Sequence, residues 1–333
     1  MVIPVLFLIN LFFSITALKE DQVHTITGNA QGTTYHITYI QNESTVTKNQ
    51  VDSILNKIDS SLSLYKPYSL INQFNNSEAG CEVDDHFIKV IKKSIETFQN
   101  TNGAFDITVK PLVQAWGFGV NETNFIPEPE SIKGLKKCIG TSMLEIKKNE
   151  LQKKKPCVQI DCNGIAQGYS VDVIADFLEK NKIKNYLVEL GGEIRVKGEN
   201  QHKKQWVIGI EKPGDDADFL PVGHTIYLSS GSVTTSGSYR KFFTKGLKKY
   251  SHIIDPVTGY PVDNGMISVT VIAKDAITAD AYDNAFMVMG LKKSFLFLEN
   301  RNDLEVFFVY KKKDRTISDT ATNGFYKYLT IKK

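Results

Sequence analysis

The chain has 333 residues, 41% of them hydrophobic and 23% charged, with 23 Gly and 10 Pro; this is the composition of a folded globular protein and excludes a disordered chain. Its 40 Lys and Arg nearly balance its 37 Asp and Glu, a formal net charge of +3, so the sequence carries no electrostatic footprint for nucleic acid. The longest basic run, Lys153-Lys154-Lys155, reads as a solvated turn.

The N-terminus comes first in chain order. Met1 to Ile15 is apolar except for Asn10 and Ser14, Ala17 offers a small residue for cleavage, and Lys19, Glu20 and Asp21 end the apolar run. Residues 1–17 therefore read as a signal peptide, with an uncleaved membrane anchor as the alternative, and residues 22–333 as the folded unit. On this reading the protein is exported, to the periplasm or the outer face of the cytoplasmic membrane. Four cysteines, Cys81, Cys138, Cys157 and Cys162, form no C-x-x-C pair. Buried free thiols are the simple reading; in an exported protein a disulfide is the alternative, and spacing does not fix its partners.

Alternation of Tyr35, Ile37 and Tyr39 predicts a strand over 33–40. Apolar stripes at Val51, Leu55, Ile58 and Leu62, and at Phe87, Val90, Ile91, Ile95 and Phe98, predict two helices. A glycine-containing segment from Gly164 runs into a third helix ending near Leu178. Strands are expected at 186–190, 194–197, 206–211, 225–228 and 268–273, then a helix over 279–289 stopped by Gly290. Residues 304–310 and 325–331 read as closing strands. Helices and strands are interleaved, but many strand links are hairpin-length. That pattern predicts an α+β fold with a largely antiparallel sheet.

Four segments carry candidate chemistry. In Ala279-Asp-Ala-Tyr-Asp-Asn-Ala285, Asp280, Asp283 and Asn284 stand at i, i+3 and i+4 and share one helix face. Two carboxylates and an amide oxygen are hard donors suited to Mg²⁺; on spacing alone, two solvent-facing acids on an amphipathic helix are the commoner case. Asp161-Cys-Asn-Gly-Ile-Ala-Gln-Gly168 opens a helix whose N–H groups could meet phosphate, or is a plain glycine-containing cap. In Tyr250-Ser-His-Ile-Ile-Asp-Pro-Val-Thr-Gly259, His252 precedes a turn and is either a proton acceptor or a structural histidine. Asn102-Gly-Ala-Phe-Asp-Ile-Thr108 and Trp116-Gly-Phe-Gly119 suit the wall of a planar ring or ordinary core packing equally.

Together these segments, from Gly28 to about Gly290, resemble the ApbE family of FAD:protein FMN transferases. The resemblance rests on Gly32-Thr-Thr-Tyr35, Ser63-Leu-Tyr-Lys-Pro-Tyr-Ser69, Gly103 to Thr108, Asp161 to Asp172, Leu190-Gly-Gly-Glu-Ile194, Thr235-Ser-Gly237 with Tyr239 and Arg240, His252 to Gly259, and Ala279 to Gly290. It implies a single T-fold-like α+β unit, its mostly antiparallel sheet flanked by helices, with the flavin in a central cleft. It implies Mg²⁺ held by Asp280, Asp283, Asn284 and the carbonyl of Gly164. It implies His252 as the base, and FAD contacts at Gln31, Tyr65, Ala104, Phe105, Asp106, Asp161, Gln167 and Ile254. Tyr65 would offer an aromatic face, and Asp106 and Asp161 acceptors for ring or ribose donors. The implied partner is a Thr- or Ser-bearing subunit of a respiratory complex such as a sodium-pumping NADH:quinone reductase (NQR) or an Rnf-type complex. Three residues depart from the family pattern: Gln31 where Met is frequent, Gln167 where a charged residue is common, and Asn284 where Thr is usual. A metal-dependent FAD pyrophosphatase and a non-catalytic flavin-binding protein are the competing readings.

Overall fold

A computed structural model describes residues 21–120, 125–211, 222–239, 241–246 and 248–330; the apolar segment 1–17 and Arg240 lie outside the described residues. Strands β1 (Gln22–Ala30) and β2 (Thr33–Gln41) pair antiparallel with Ala30 opposite Thr33, which leaves Gln31 and Gly32 as a two-residue turn. Both turn residues have positive φ, 52° and 76°, the geometry that matches a tight hairpin to the twist of its strands. Gln31 is thereby fixed at a hairpin tip.

Helix α1 (Lys48–Leu62) starts at Thr47 with a reciprocal capping box to Gln50 and buries Val51, Leu55, Ile58 and Leu62. Then come α2 (Leu70–Asn76), β3 (Gly80–Glu82), α3 (Asp85–Asn100), α4 (Lys110–Ala115), α5 (Pro129–Leu135), β4 (Leu144–Lys147) and β5 (Glu150–Lys153). Helix α6 (Ala166–Lys180) leads into β6 (Asn185–Leu190), β7 (Glu193–Lys197), β8 (Trp206–Glu211), β9 (Val222–Leu228) and β10 (Ser230–Gly237). A separate hairpin, β11 (Phe242–Lys245) and β12 (Lys248–Ser251), precedes β13 (Met266–Ala273) and α7 (Ala276–Leu298). The chain closes with β14 (Glu305–Lys311), β15 (Ile317–Ala321) and β16 (Leu329–Thr330).

The main sheet has eight strands in the order β1-β2-β6-β7-β10-β13-β14-β15, every neighbour antiparallel, as the hairpin-length links predict. One face is covered by helices. Tyr35, Ile37 and Tyr39 pack with Val171, Ile174 and Leu178 of α6, and Val269, Val271 and Phe308 with Tyr282 and Phe286 of α7. On the other face Val233, Ile272 and Phe307 pack against Trp206 and Ile226 of the small sheet β16-β9-β8 and against Phe325 just before β16.

Several expectations need correction. Strand β1 was not among the expected strands; as an edge strand it buries only Ile26, so its apolar signal is weak. One expectation holds at α7: helical geometry stops at Gly290 (φ 71°, ψ 168°), and a second helical segment continues from there to Leu298. Residues 325–331 are not one strand but a 3-10 turn, Phe325–Lys327, followed by two-residue β16. Lys153 is not in a solvated turn. It is 7% exposed, and its ammonium donates to the carbonyls of Phe74, Asn75 and Val158 at 3.1, 3.4 and 3.0 Å. A buried cation needs such acceptors, and three carbonyls supply them. Cys157 is not a free thiol but is disulfide-bonded to Cys138, with Cα atoms 5.6 Å apart; Cys81 and Cys162 are free. Among the described residues no helix is long and apolar enough to cross a membrane.

Candidate active site

The first turns of α7 are positioned from below by α6. Asp172 accepts from the N–H groups of Ala276 (2.9 Å) and Ile277 (2.8 Å), and Arg195 of β7 donates to it at 2.8 Å. Asp275 caps the same helix through Thr278 N–H. One turn later Asp280 and Asp283 point into the protein, 4% and 1% exposed. Asp280 Oδ2 accepts from Gly168 N–H at 2.9 Å, and Asp283 Oδ2 accepts from Thr234 Oγ at 2.7 Å. The sequence spacing is therefore that of an inward face, and the surface-helix alternative does not hold.

Burial raises both carboxyls first. Asp280 is pushed up to about 7, with the charge of Asp172 adding to the effect. Asp283 is raised well above its ordinary value by burial and then by Asp280. Against them stands the amide of Asn284. Its Nδ2 lies 3.3 Å from Gly164 O, 3.0 Å from Asp280 O, 3.3 Å from Asp280 Oδ1 and 3.0 Å from Asp283 Oδ1. Four oxygens thus face one NH₂ group, which has only two hydrogens to give. Such an excess of hard oxygen donors fits a divalent cation. The amide oxygen expected to ligate it instead accepts from Ser236 Oγ at 3.2 Å. A half-turn of the amide exchanges the two ends, since Ser236 hydroxyl can also accept. Among the described residues no three His, Cys, Asp or Glu side chains group as a metal site, so the set depends on this amide and the Gly164 carbonyl.

His252 follows β12. Its backbone N–H and its Nδ1 both bond the carbonyl of Lys241, at 3.2 and 2.9 Å. A carbonyl only accepts, so Nδ1 carries the proton and Nε2 keeps the lone pair. Burial lowers the His252 pKa, and the charge of Lys241 lowers it further while the carbonyl bond opposes them. The turn beyond is closed by Gly259 N–H to Asp255 O at 2.8 Å, and Ile254 pairs across it with Pro261. Trp116 Nε1 donates to Gly259 O at 2.9 Å, which ties this turn to the aromatic wall.

Asp106 is committed to its own loop. Its Oδ1 accepts from Thr108 N–H, Thr108 Oγ and Thr141 Oγ at 2.8, 2.6 and 2.7 Å, and its Oδ2 from Thr141 N–H at 3.2 Å. It braces the wall more than it offers acceptors to a ligand. Asp161 accepts from Asn163 N–H at 2.8 Å, and its own N–H donates to Ile107 O at 2.7 Å. Burial raises the Asp161 carboxyl, and Lys110 and Lys241 counter it. Gln31 donates to Ser170 Oγ at 2.7 Å, and its buried Oε1 has no hydrogen-bond partner among the described residues. Tyr65 stands 59% exposed at the rim.

One cleft of about 660 Å³ is lined by all thirteen predicted residues: Gln31, Tyr65, Ala104, Phe105, Asp106, Asp161, Gly164, Gln167, His252, Ile254, Asp280, Asp283 and Asn284. Its lining also includes Asp59, Lys66, Glu193, Ser236 and Lys241, to which the sequence reading assigned no role. Thr234 and Ser236 were legible in principle. They flank Thr235 on a strand, so both face α7, where Thr234 bonds Asp283 and Ser236 bonds Asn284.

The ApbE family model matches residues 31–308. The FAD:protein FMN transferase of Vibrio cholerae serotype O1 is 37% identical over 317 residues, 93% of each chain. That of Haemophilus influenzae is 34% identical over 328 residues, covering 95% of this chain and 94% of the relative. Among solved structures, the flavin transferase ApbE from Vibrio cholerae superposes with a TM-score of 0.83 at 35% identity, over 93% of this chain and all of that one. The apo form of the Pseudomonas stutzeri flavinyl transferase ApbE gives 0.84 at 32% identity, over 94% and 98% of the two chains.

Proposed function

The chain belongs to the ApbE family, and from that premise we propose that it is a Mg²⁺-dependent FAD:protein FMN transferase. The observation that carries this reading is the meeting, in one cleft, of the Asp280–Asp283–Asn284–Gly164 oxygen set with His252. A Thr or Ser hydroxyl of an acceptor protein attacks the phosphorus of the FMN half of FAD. The new phosphoester P–O bond forms as the pyrophosphate P–O bond breaks, and AMP leaves. The hydroxyl proton passes to His252 Nε2, which burial keeps neutral. Asp280, Asp283, the Gly164 carbonyl and a turned Asn284 amide would hold the metal. When bound, Mg²⁺ supplies positive charge to pyrophosphate oxygens.

We further propose export, with a respiratory-complex subunit of the NQR or Rnf kind as acceptor. The Cys138–Cys157 disulfide supports an oxidising compartment, as does the apolar run before residue 18. Incubation with FAD, Mg²⁺ and a Thr-bearing acceptor domain tests the reaction. Flavin fluorescence on the acceptor in a denaturing gel, with stoichiometric AMP, is the expected result. AMP without labelled acceptor would make the protein a pyrophosphatase, and neither product would leave a flavin-binding protein. Intact mass of the protein recovered from a periplasmic extract tests export and cleavage.

A further inference from the structure

The hairpin β11–β12 is a two-stranded sheet of its own. Its inner face is fixed: Phe243 stacks on Tyr250 (centroids 5.0 Å), Tyr250 on Trp116 (5.7 Å), and Phe118 lies against Phe243 (5.3 Å). Among the described residues its outer face has no such cover. Phe242 is 43% exposed, and Thr244 and Lys249 are exposed opposite one another, with the Lys249 ammonium 3.5 Å from the centroid of the Phe242 ring. The root of the hairpin is the Lys241 carbonyl that grips His252, so the hairpin stands beside the mouth through which a hydroxyl must reach Nε2.

The charge is one-sided. Residues 241–250 contain four lysines, Lys241, Lys245, Lys248 and Lys249, and no acidic residue. Burial, and then the charge of Lys311, hold the Lys249 ammonium below its ordinary pKa. Like charges left side by side, next to an exposed ring, are relieved when a partner brings carboxylates and apolar surface together. A free two-stranded ribbon also offers an extended segment a place to lie.

We propose that the outer face of β11–β12 is the docking arm for the acceptor polypeptide, and that the docked stretch is extended and carries acidic side chains. This inference rests on the transferase reading and names the chemistry of its partner. The apolar contact falls to Phe242, and Lys249 with its neighbour Lys311 meets the acids. The arm thus brings a hydroxyl-bearing segment to His252 without contributing to FAD binding.

The test compares two fluorescein-labelled peptides, each with a central Thr, one flanked by Glu and the other by Lys. Binding is read by anisotropy at low salt, on full-length protein with FAD and Mg²⁺. The wild type should bind the Glu peptide roughly tenfold tighter than the Lys peptide, the scale of a few exposed charge pairs acting together. The double variant Lys249→Glu/Lys311→Glu should lose or reverse that preference while its FAD affinity, read by flavin fluorescence, is unchanged. Equal binding of both peptides by the wild type, or a preference that survives in the variant, would overturn the proposal. Flavin transfer to the acceptor domain is scored separately. A charge-dependent arm on a protein that transfers no flavin refutes the transferase reading, and transfer with no charge dependence refutes the arm alone.

Discussion

The backbone N–H of Gly168 donates to Oδ2 of Asp280 at 2.9 Å, across the crossing of α6 and α7. The two helices meet so closely there that a Cβ on residue 168 would lie 2.4 Å from Ala276 O and 2.7 Å from Asp280 Cβ. Gly168 therefore does two things: it lets the helices approach, and it holds one carboxylate of the cation site.

Gly168→Ala should force α7 outward. Overpacking of this kind costs about 1–3 kcal/mol, and it moves Asp280 relative to Gly164. The expected outcome is a lowered Tm together with a several-fold higher Mg²⁺ concentration for half-maximal flavin transfer, read by titration. An unchanged Mg²⁺ requirement would separate the crossing from the metal site.

Much of this site was legible before any coordinates, and for a physical reason. Residues that must meet one ligand are restricted in type, so Asp280, Asp283, His252 and Gly164 stand out in short segments even though about 120 residues separate the outer pair. Supporting contacts are less restricted. Lys153 reads as one lysine of a basic run, and only the fold brings the carbonyls of Phe74 and Val158 around its ammonium. The Cys138 partner of Cys157 is hidden in the same way, since the two stand nineteen positions apart with a hairpin between them. Period-based reading also misses β1, because an edge strand with one buried side chain scarcely alternates.

Asp172 is the clearest residue missed. It closes the quoted Asp161–Asp172 segment, and its role appears only when α7 places two N–H groups on it. Asp172→Asn keeps the shape but leaves Arg195 with only the longer contacts to Asp176 (3.4 Å) and Glu179 (3.6 Å). The loss should be about 1–3 kcal/mol, as for a charged hydrogen bond broken with its partner left half-buried. Thermal melts with and without Mg²⁺ check it, and the loss should be present in both.

The raised carboxyls set a pH signature for the metal-free protein. Asp280 moves from 3.8 in the open chain to about 7 in the fold. Between those values the folded state holds a proton that the unfolded chain has released. The stability this group contributes is therefore greatest below the lower value and falls as pH rises to the upper one. The metal-free Tm should drop between about pH 4 and pH 7 through this group. Mg²⁺ replaces the proton, so the rise in Tm on adding it should be larger at the higher pH. An equal rise at both would show that these acids do not hold the ion.

For His252 the sign is opposite in kind. Transfer needs Nε2 unprotonated, and burial lowers the pKa below the ordinary 6.5. The rate should therefore be flat through neutrality and fall only below that value. His252→Ala should cost about 10²- to 10⁴-fold in turnover, the usual contribution of a general base, and should remove the acid limb. Near-normal turnover would assign the proton to another acceptor.

Asn284 separates the two states of the site. Its NH₂ faces the carbonyl of Gly164 and the side chains of Asp280 and Asp283, the place of a neutral stand-in for a cation. Binding an ion requires the amide to turn, which forfeits these contacts and should weaken affinity. Asn284→Thr removes the stand-in and leaves a hydroxyl that accepts without turning. The metal-free variant should melt lower than the wild type, because two buried acids lose their donor. Its Mg²⁺ affinity should rise, giving a larger increase in Tm on adding the ion and a lower half-saturating concentration in the transfer assay. Weaker Mg²⁺ binding by the variant would instead mean that the amide oxygen of Asn284 is the better ligand in this protein.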